Sequence, residues 1–311
     1  MALMASTASW LACTNAPPAS ARRTLTISTG GRGGTFFPIG TTLAGVLRAG
    51  VPDWDFTVTT GGGAVGNLER LQNGEADLAF SFADAAYTGY AGHLPGQSAP
   101  YGRVRAVSLL QLAPIQIVVH PNSGIRTVTD LAGKRVTAGT PTNGSRFTAS
   151  LILSAFGVDP NTVEFYYDGA PSGVVTPFTE RRIDAMFVLA RYPNELIASA
   201  IAAGGELLEI SGPSARQLHL DAPFFKFTSI PHETYPGLGQ SVATLGVDSL
   251  LLCRSDLDAN VVYQVTKALF GAVTEGRHDT LRPIDLETAA AAPIPLHAGA
   301  LRFFRERELF P

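Results

Sequence analysis

From Thr24 onward the chain repeats one pattern. A short apolar run is followed by a loop of small residues, then by apolar positions three and four apart. "LTIST" predicts a strand and "GGRGGT" its loop. A helix starts near Phe37-Pro38, where proline's missing N–H loses no bond. Ile39, Leu43, Val46 and Leu47 share one face of that helix. "FTVTT" is the second strand and "GGGAVG" its loop. Val65, Leu68 and Leu71 mark the next helix, which Asn73-Gly74 ends with a left-handed cap. "DLAFSF" reads as a buried strand, with Asp84 placed to cap the helix "AAYTGYAG".

A turn-rich linker, "HLPGQSAPYG", leads to "VRAVSLLQLAPIQIVVHP", which carries one or two long strands. "VTDLAG" predicts a short helix ending at Gly133, and "RVTAG" a buried strand. The loop "TPTNGS" opens the helix "RFTASLILSAFG", closed by Gly157. "VEFYY" and "IDAMFVLA" are further strands, and "RYP" opens a helix with Pro193 in its first turn. "YPGLGQSVATLGVDSLLLCRS" predicts a strand pair. "ANVVYQVTKALFGAV" and "HAGALRFFRERELF" are amphipathic helices able to pack back on the first part of the chain. "LERLQNGEADLAFSF" and "FTERRIDAMFVLA" share one order: helix, polar break, acidic residue, apolar strand. Two similar α/β halves account for this. The expected fold is α/β with two lobes, each a mainly parallel sheet flanked by helices, and a ligand cleft between them.

Composition agrees with this reading. The 311 residues suffice for two domains or two lobes. With 45% hydrophobic and 16% charged residues, the chain has the makings of a core and is unlike a disordered one. A net charge of −3 lacks the basic surplus of a nucleic-acid binder. No stretch reaches the ~18 consecutive apolar residues of a membrane span. Cys13 and Cys253 sit in unlike settings, so neither a disulfide nor a zinc site is expected. Residues 1–23 are apolar and rich in Ala and Ser. They resemble the core of a secretory signal with Ala19-Ser20-Ala21 as cleavage site, while "WLAC" resembles a lipoprotein box ending at Cys13. Trp10 is a poor first residue for that box, and the basic start of a signal is missing. Export is the expectation, and a disordered N-terminal tail is the alternative.

Four loops lie where strands end and helices begin, at residues 29–37, 60–67, 140–146 and 190–194. Free N–H groups and the helix dipole there favour an anion. A cleft lined by such loops suits a small carboxylate. "GGRGGT" read alone is either a tight turn or a ligand loop, and it matches neither dinucleotide nor Walker spacing. Arg32, Arg146 and Arg191 each sit in one loop and are candidates for a bidentate grip on a carboxylate. Phe36, Phe37 and Phe82 are either pocket walls or core. Asp84 is a cap first and a partner for a ligand amine second. Catalysis finds little support, and neither cofactor nor metal is expected. The six histidines form no metal motif, Ser145 is not in a nucleophile elbow, and Asp256 and Asp258 sit at a helix start. No lysine lies in a glycine loop.

The order "LTISTGGRGGTFFPIGTTLAGVL", "TTGGGAVGNLERLQNGEADLAFSFADAAYTGYAG", "GIRTVTDLAGKRVTAGTPTNGSRFTASLILSAFG", "RRIDAMFVLARYPNELI", "TYPG" and "PLHAGALRFFRE" resembles the TAXI family. These are the extracytoplasmic solute receptors of TRAP transporters, and the likeness runs from Thr24 to near the end. It implies a type II periplasmic-binding-protein fold, no enzymatic activity, and capture of a glutamate-like, dicarboxylate-like or related small acid. Delivery is to a TRAP membrane permease. The implied location is the periplasm or the outer face of the membrane, either free or lipid-anchored through Cys13. Lobe one is expected over 24–113 plus 241–311 and lobe two over 114–240, with crossings near 113–117 and 234–243. The implied ligand residues are Gly33, Gly34, Thr35 and Phe36, then Asn67 and Asp84, then Thr142, Asn143, Ser145 and Arg146, and last Arg191 and Pro193. Phe36-Phe37 stands where the family has tyrosines, and "TPTNGSRF" replaces a Ser-Gly-Thr-Arg order, so the resemblance points to a less polar ligand. A receptor serving a signalling partner, or an enzyme on the same two-lobed fold, are the alternatives.

Overall fold

Leu25 and Ile27 bury one face of β1 (Arg23–Ser28), and the buried residues of α1 (Phe36–Gly50) recur every three to four positions from Phe36 to Leu47. The computed structural model describes residues 23–310 other than 33, 52 and 168–174. The signal-like residues 1–22, Cys13 and Gly33 lie outside them.

β2 (Trp54–Thr59) and β3 (Leu78–Phe82) flank β1 in parallel. α2 (Gly63–Asn73) ends at Gly74, whose φ of 78° is the left-handed cap expected from Asn73-Gly74. α3 (Ala83–Ala91) follows β3 directly.

The apolar run after the linker is one strand, β4 (Val104–Val119). Pro114 lies inside it, although proline is poorly tolerated within a sheet. Here it stands where β4 changes partner. Val104 to Pro114 pair with β10 (Val242–Arg254), and Ile115 to Val119 pair with β7 (Ala185–Leu189). Parallel strands β5 (Arg135–Thr137) and β6 (Glu164–Phe165) continue the sheet beyond β7. Between these lie α4 (Gly144–Ala155), α5 (Val175–Thr179) and, after β7, α6 (Glu195–Ala202).

The strand order is β2-β1-β3-β10-β4-β7-β5-β6. β8 (Glu206–Leu208) adds to β4, and β9 (Phe225–Ile230) to β10. The fold is two-lobed α/β, as expected, and its sheet is mixed. β10 runs antiparallel to β3, β4 and β9, and β4 runs antiparallel to β7 and β8. The reason is β4 and β10 themselves. They are long, buried on both faces, and continue from one half of the sheet into the other. The strand pair expected over 235–255 is instead the single strand β10, and its hairpin partner β9 precedes it. α7 (Gly212–Asp221) was not foreseen, since only Ala215 of its residues is buried.

α8 (Ala259–Glu275) packs on α1, and α9 (Ala298–Glu306) on α8 and β4. Phe270 stacks on Phe303 at 5.6 Å, and Phe304 meets them edge-on at 5.6 and 5.5 Å. Gly299 permits this approach, because a Cβ there would meet the Ala259 carbonyl at 2.2 Å. The two C-terminal helices therefore pack back on the first part of the chain, as their amphipathic pattern suggested.

Candidate functional site

Four helices begin at one cavity of about 370 Å³. Gly34, Thr35 and Phe36 bring the start of α1. Gly63 and Ala64 bring α2, Asn143 to Ser145 bring α4, and Asn194 and Leu196 bring α6. Each follows a strand across a short loop, so the first turns of the four helices border the same space. The walls are apolar: Phe36 and Phe82 on one side, and Tyr166, Tyr167, Met186, Phe187 and Leu189 on the other. Phe36 is fixed between Phe82 and Phe80, with ring centroids at 4.7 and 5.7 Å. Among the described lining residues no side chain is ionisable apart from the two tyrosines.

The two sides touch behind this cavity. The Val65 amide donates to the Thr142 carbonyl at 3.1 Å. Gly63 has φ +63°, and a Cβ on it would meet that same carbonyl at 2.8 Å. A Cβ on Gly144 would lie 2.5 Å from the Phe82 ring and 3.0 Å from Ala64. Deeper still, the Thr148 hydroxyl of α4 donates to Asp84 of α3 at 2.5 Å, and both residues are fully buried.

The expected site residues divide accordingly. Gly34, Thr35, Phe36, Asn143 and Ser145 line the cavity. Thr142 lies in the contact between the two sides. Asn67 is fully buried within the first lobe. It accepts the Ser28 hydroxyl at 2.8 Å and donates to the Phe80 carbonyl at 2.7 Å. Asp84 lies away from the cavity wall. It does not cap α3 either: Phe82 holds the N-cap position, and Asp84 sits in the first turn, accepting from the Ala85 amide at 2.7 Å. The strand ends at Phe82 as its pattern implied, but the helix begins at once at Ala83, two residues before the expected start. None of the three loop arginines reaches the wall. Arg146 lies over the Phe165 ring, with one Nη buried and without a hydrogen-bond partner among the described residues. That burial pulls its pKa down. Arg32 lies over Phe37, and Arg191 and Pro193 are exposed.

Asn67→Ala therefore tests structure rather than binding. It strands the Phe80 carbonyl and the Ser28 hydroxyl, and the expected loss is about 2 kcal/mol of unfolding free energy in urea melts. Ligand affinity should change less than threefold.

Sequence reasoning missed the lobe-two wall. Tyr166 and Tyr167 end the predicted strand "VEFYY", and strand ends are where the other loops were sought. It also missed Tyr235, whose hydroxyl donates to Gln116 while accepting the Asn194 amide at 3.0 Å. Gln116 in turn donates to the Ala190 carbonyl at 2.9 Å. Burial pushes the Tyr235 phenol up to about 12, so it stays a neutral donor holding the 190–194 loop. A glutamine inside "PIQIVV" was the available signal. Ser145 is similarly held: its Oγ accepts the Leu189 amide at 2.9 Å, and its amide donates to Asn143 Oδ1 at 2.8 Å. The hydroxyl proton remains for a guest.

A family model described as NMT1-like matches residues 27–307. Among solved structures, the periplasmic binding protein BugD matches at a TM-score of 0.56 and 11% identity, over 93% of this chain and 95% of that one. A structure described as a periplasmic transporter gives 0.55 at 15% identity, over 94% and 95%. A Xanthomonas citri protein bound to ATP gives 0.54 at 12%, over 91% and 94%. The shared feature at these identities is the fold. The family match is to the NMT1-like model, where the loop motifs resembled TAXI receptors.

Proposed function

This chain belongs to the NMT1-like family, and from that premise we propose that it is an extracytoplasmic solute-binding receptor that closes two lobes over a small organic acid and delivers it to a TRAP-type permease. The observation that carries this reading is the cavity itself. Four helix N-termini converge on a space whose described walls hold neither acid nor base to do chemistry. Such a site binds an anion and leaves it unchanged. The neighbours are likewise described as a binding protein and a transporter. The chain is thus a binding protein rather than an enzyme. Cys253, the one free thiol among the described residues, is buried in β10, and burial raises its pKa.

The proposed lobes are 24–113 plus 241–311, and 114–240. The partner exchange of β4 at Pro114/Ile115 supports the first boundary, and the β9–β10 hairpin lies at the second. The loop "GGTFFPIG" and the segment "LHAGALRFFRE" support the TRAP class of permease. Ligand binding favours the closed arrangement by hinge motion. The signal-like leader supports export, with lipid attachment at Cys13 as the anchored form.

A thermal-shift and calorimetric screen of acids, sugars and nucleotides tests this. A ligand at 100 times its Kd stabilises by about 2.7 kcal/mol. Stabilisation by acids is expected, and stabilisation by sugars or nucleotides alone would overturn the carboxylate reading. Ser145→Ala is expected to weaken the best acid about tenfold, as loss of one charge-assisted bond does.

A further inference from the structure

Among the described residues the cavity holds places for one charge, not two. The N-termini of α1 and α2 carry no side-chain cap. Those of α4 and α6 are already served by their own asparagines. Asn143 Oδ1 accepts from Ser145, and Asn194 Oδ1 accepts from Leu196 and Ile197. The anion-binding end is thus the lobe-one end, around the amides of Thr35 and Gly63, because the Gly34 amide is taken by the Gly31 carbonyl and the Val65 amide by the Thr142 carbonyl; the Ser145 hydroxyl stands opposite. Away from that end a guest meets rings and aliphatic side chains: Tyr167, Phe187, Met186 and Leu189. No described wall residue offers a carboxylate to an ammonium group, and none offers a guanidinium to a second carboxylate.

We propose that the site selects a monoanion with an apolar, ring-sized body, and discriminates against amino acids and dicarboxylates. This narrows the carboxylate reading given above and rests on it. A second charge, of either sign, would be stripped of water and laid against rings with nothing to pair it. The aromatic walls reward a flat apolar body instead. At about 370 Å³ the cavity lies near the small end of the roughly 300–1,000 Å³ typical of small-molecule sites, which suits a single ring with a short acidic arm.

Four probes isolate the charge: phenylacetate, its α-amino and α-carboxyl derivatives phenylglycine and phenylmalonate, and its neutral amide phenylacetamide. Their Kd values are measured by calorimetry on the full chain, with glutamate and succinate alongside. Phenylacetate is expected to bind at least about 30-fold tighter than phenylglycine, phenylmalonate and phenylacetamide. Phenylglycine or phenylmalonate matching phenylacetate would overturn the monoanion proposal, and so would glutamate or succinate binding tighter. In those cases the carboxylate reading survives. Phenylacetamide matching phenylacetate would overturn both. Failure of phenylacetate to bind at about ten times a 1 mM Kd overturns the proposal whatever else binds. A second variant separates walls from charge. Leu189→Arg, placing a cation among the apolar residues, is expected to raise phenylmalonate affinity relative to phenylacetate about tenfold. An unchanged ratio would oppose the proposal.

Discussion

Gly144→Ala is expected to weaken ligand binding about 100-fold while leaving the unliganded fold at least as stable as the native one. Gly144 opens α4 with helical backbone, where alanine is the better helix former by up to about 1 kcal/mol. The added methyl has no room once the lobes meet. Its carbon would stand 2.5 and 2.7 Å from two atoms of the Phe82 ring and 3.0 Å from the Ala64 methyl. Phe82 cannot yield easily, because its other side packs on Phe36. Overpacking of this kind costs roughly 1–3 kcal/mol. A cost borne only by the closed arrangement appears wholly in Kd, and the upper part of that range corresponds to about 100-fold. Calorimetry with the tightest acid from the screen, and urea melts without ligand, check both halves. An unchanged Kd would mean that the Phe82–Gly144 contact is not part of closure. Phe82→Leu in the Gly144→Ala background makes the test sharper. The smaller ring-free side chain removes the clash, so the double variant should bind better than Gly144→Ala alone, a coupling that independent sites would lack.

That contact also marks how far the sequence can be read. Periodicity reports burial along one element. It placed α1 with Ile39, Leu43 and Leu47 inside, and ended α2 at Gly74. Of the residues that loop chemistry at strand ends singled out, Gly34, Thr35, Phe36, Asn143 and Ser145 line one cavity. What the pattern does not contain is the partner across the cleft. Gly63 and Gly144 read only as members of candidate ligand loops, yet the first makes room for the Thr142 carbonyl and the second for Phe82. Asp84 and Thr148 are 64 residues apart, so a local reading makes Asp84 a helix cap. Arg146 has the residue type and loop position of a carboxylate clamp. Its direction is set by the Phe165 ring, a contact between α4 and β6 that no spacing rule encodes. Chain-local signals thus gave the scaffold and the location, while side-chain direction came from packing between distant segments.

Asp84 gives the second large effect. Wild-type stability, measured relative to Asp84→Asn, is expected to fall by about 3 kcal/mol between pH 3 and pH 7. Burial raises the Asp84 carboxyl from 3.8 to about 6, and the Thr148 hydroxyl and Ala85 amide only partly oppose it. No cation contributes to holding it ionised. The folded protein therefore binds this proton more tightly than the unfolded chain does. The stabilisation is complete below pH 3.8 and is lost as pH rises through about 6. Above that both states are ionised and the difference stays flat. A shift of about two units at ~1.4 kcal/mol each gives the stated size. Other carboxylates act in the opposite sense. Asp184 is held low chiefly by its hydrogen bonds with Arg135, at 2.8 and 3.1 Å, so it gains stability as pH rises. That contribution is common to both proteins and cancels in the difference. Urea melts of the two at half-unit pH steps give the curve, and parallel curves would show that Asp84 is hydrated. Thr148→Val supplies the internal check. Removing the hydroxyl that steadies the carboxylate should move the fall to higher pH, whereas a purely steric role for Thr148 would lower both limbs equally.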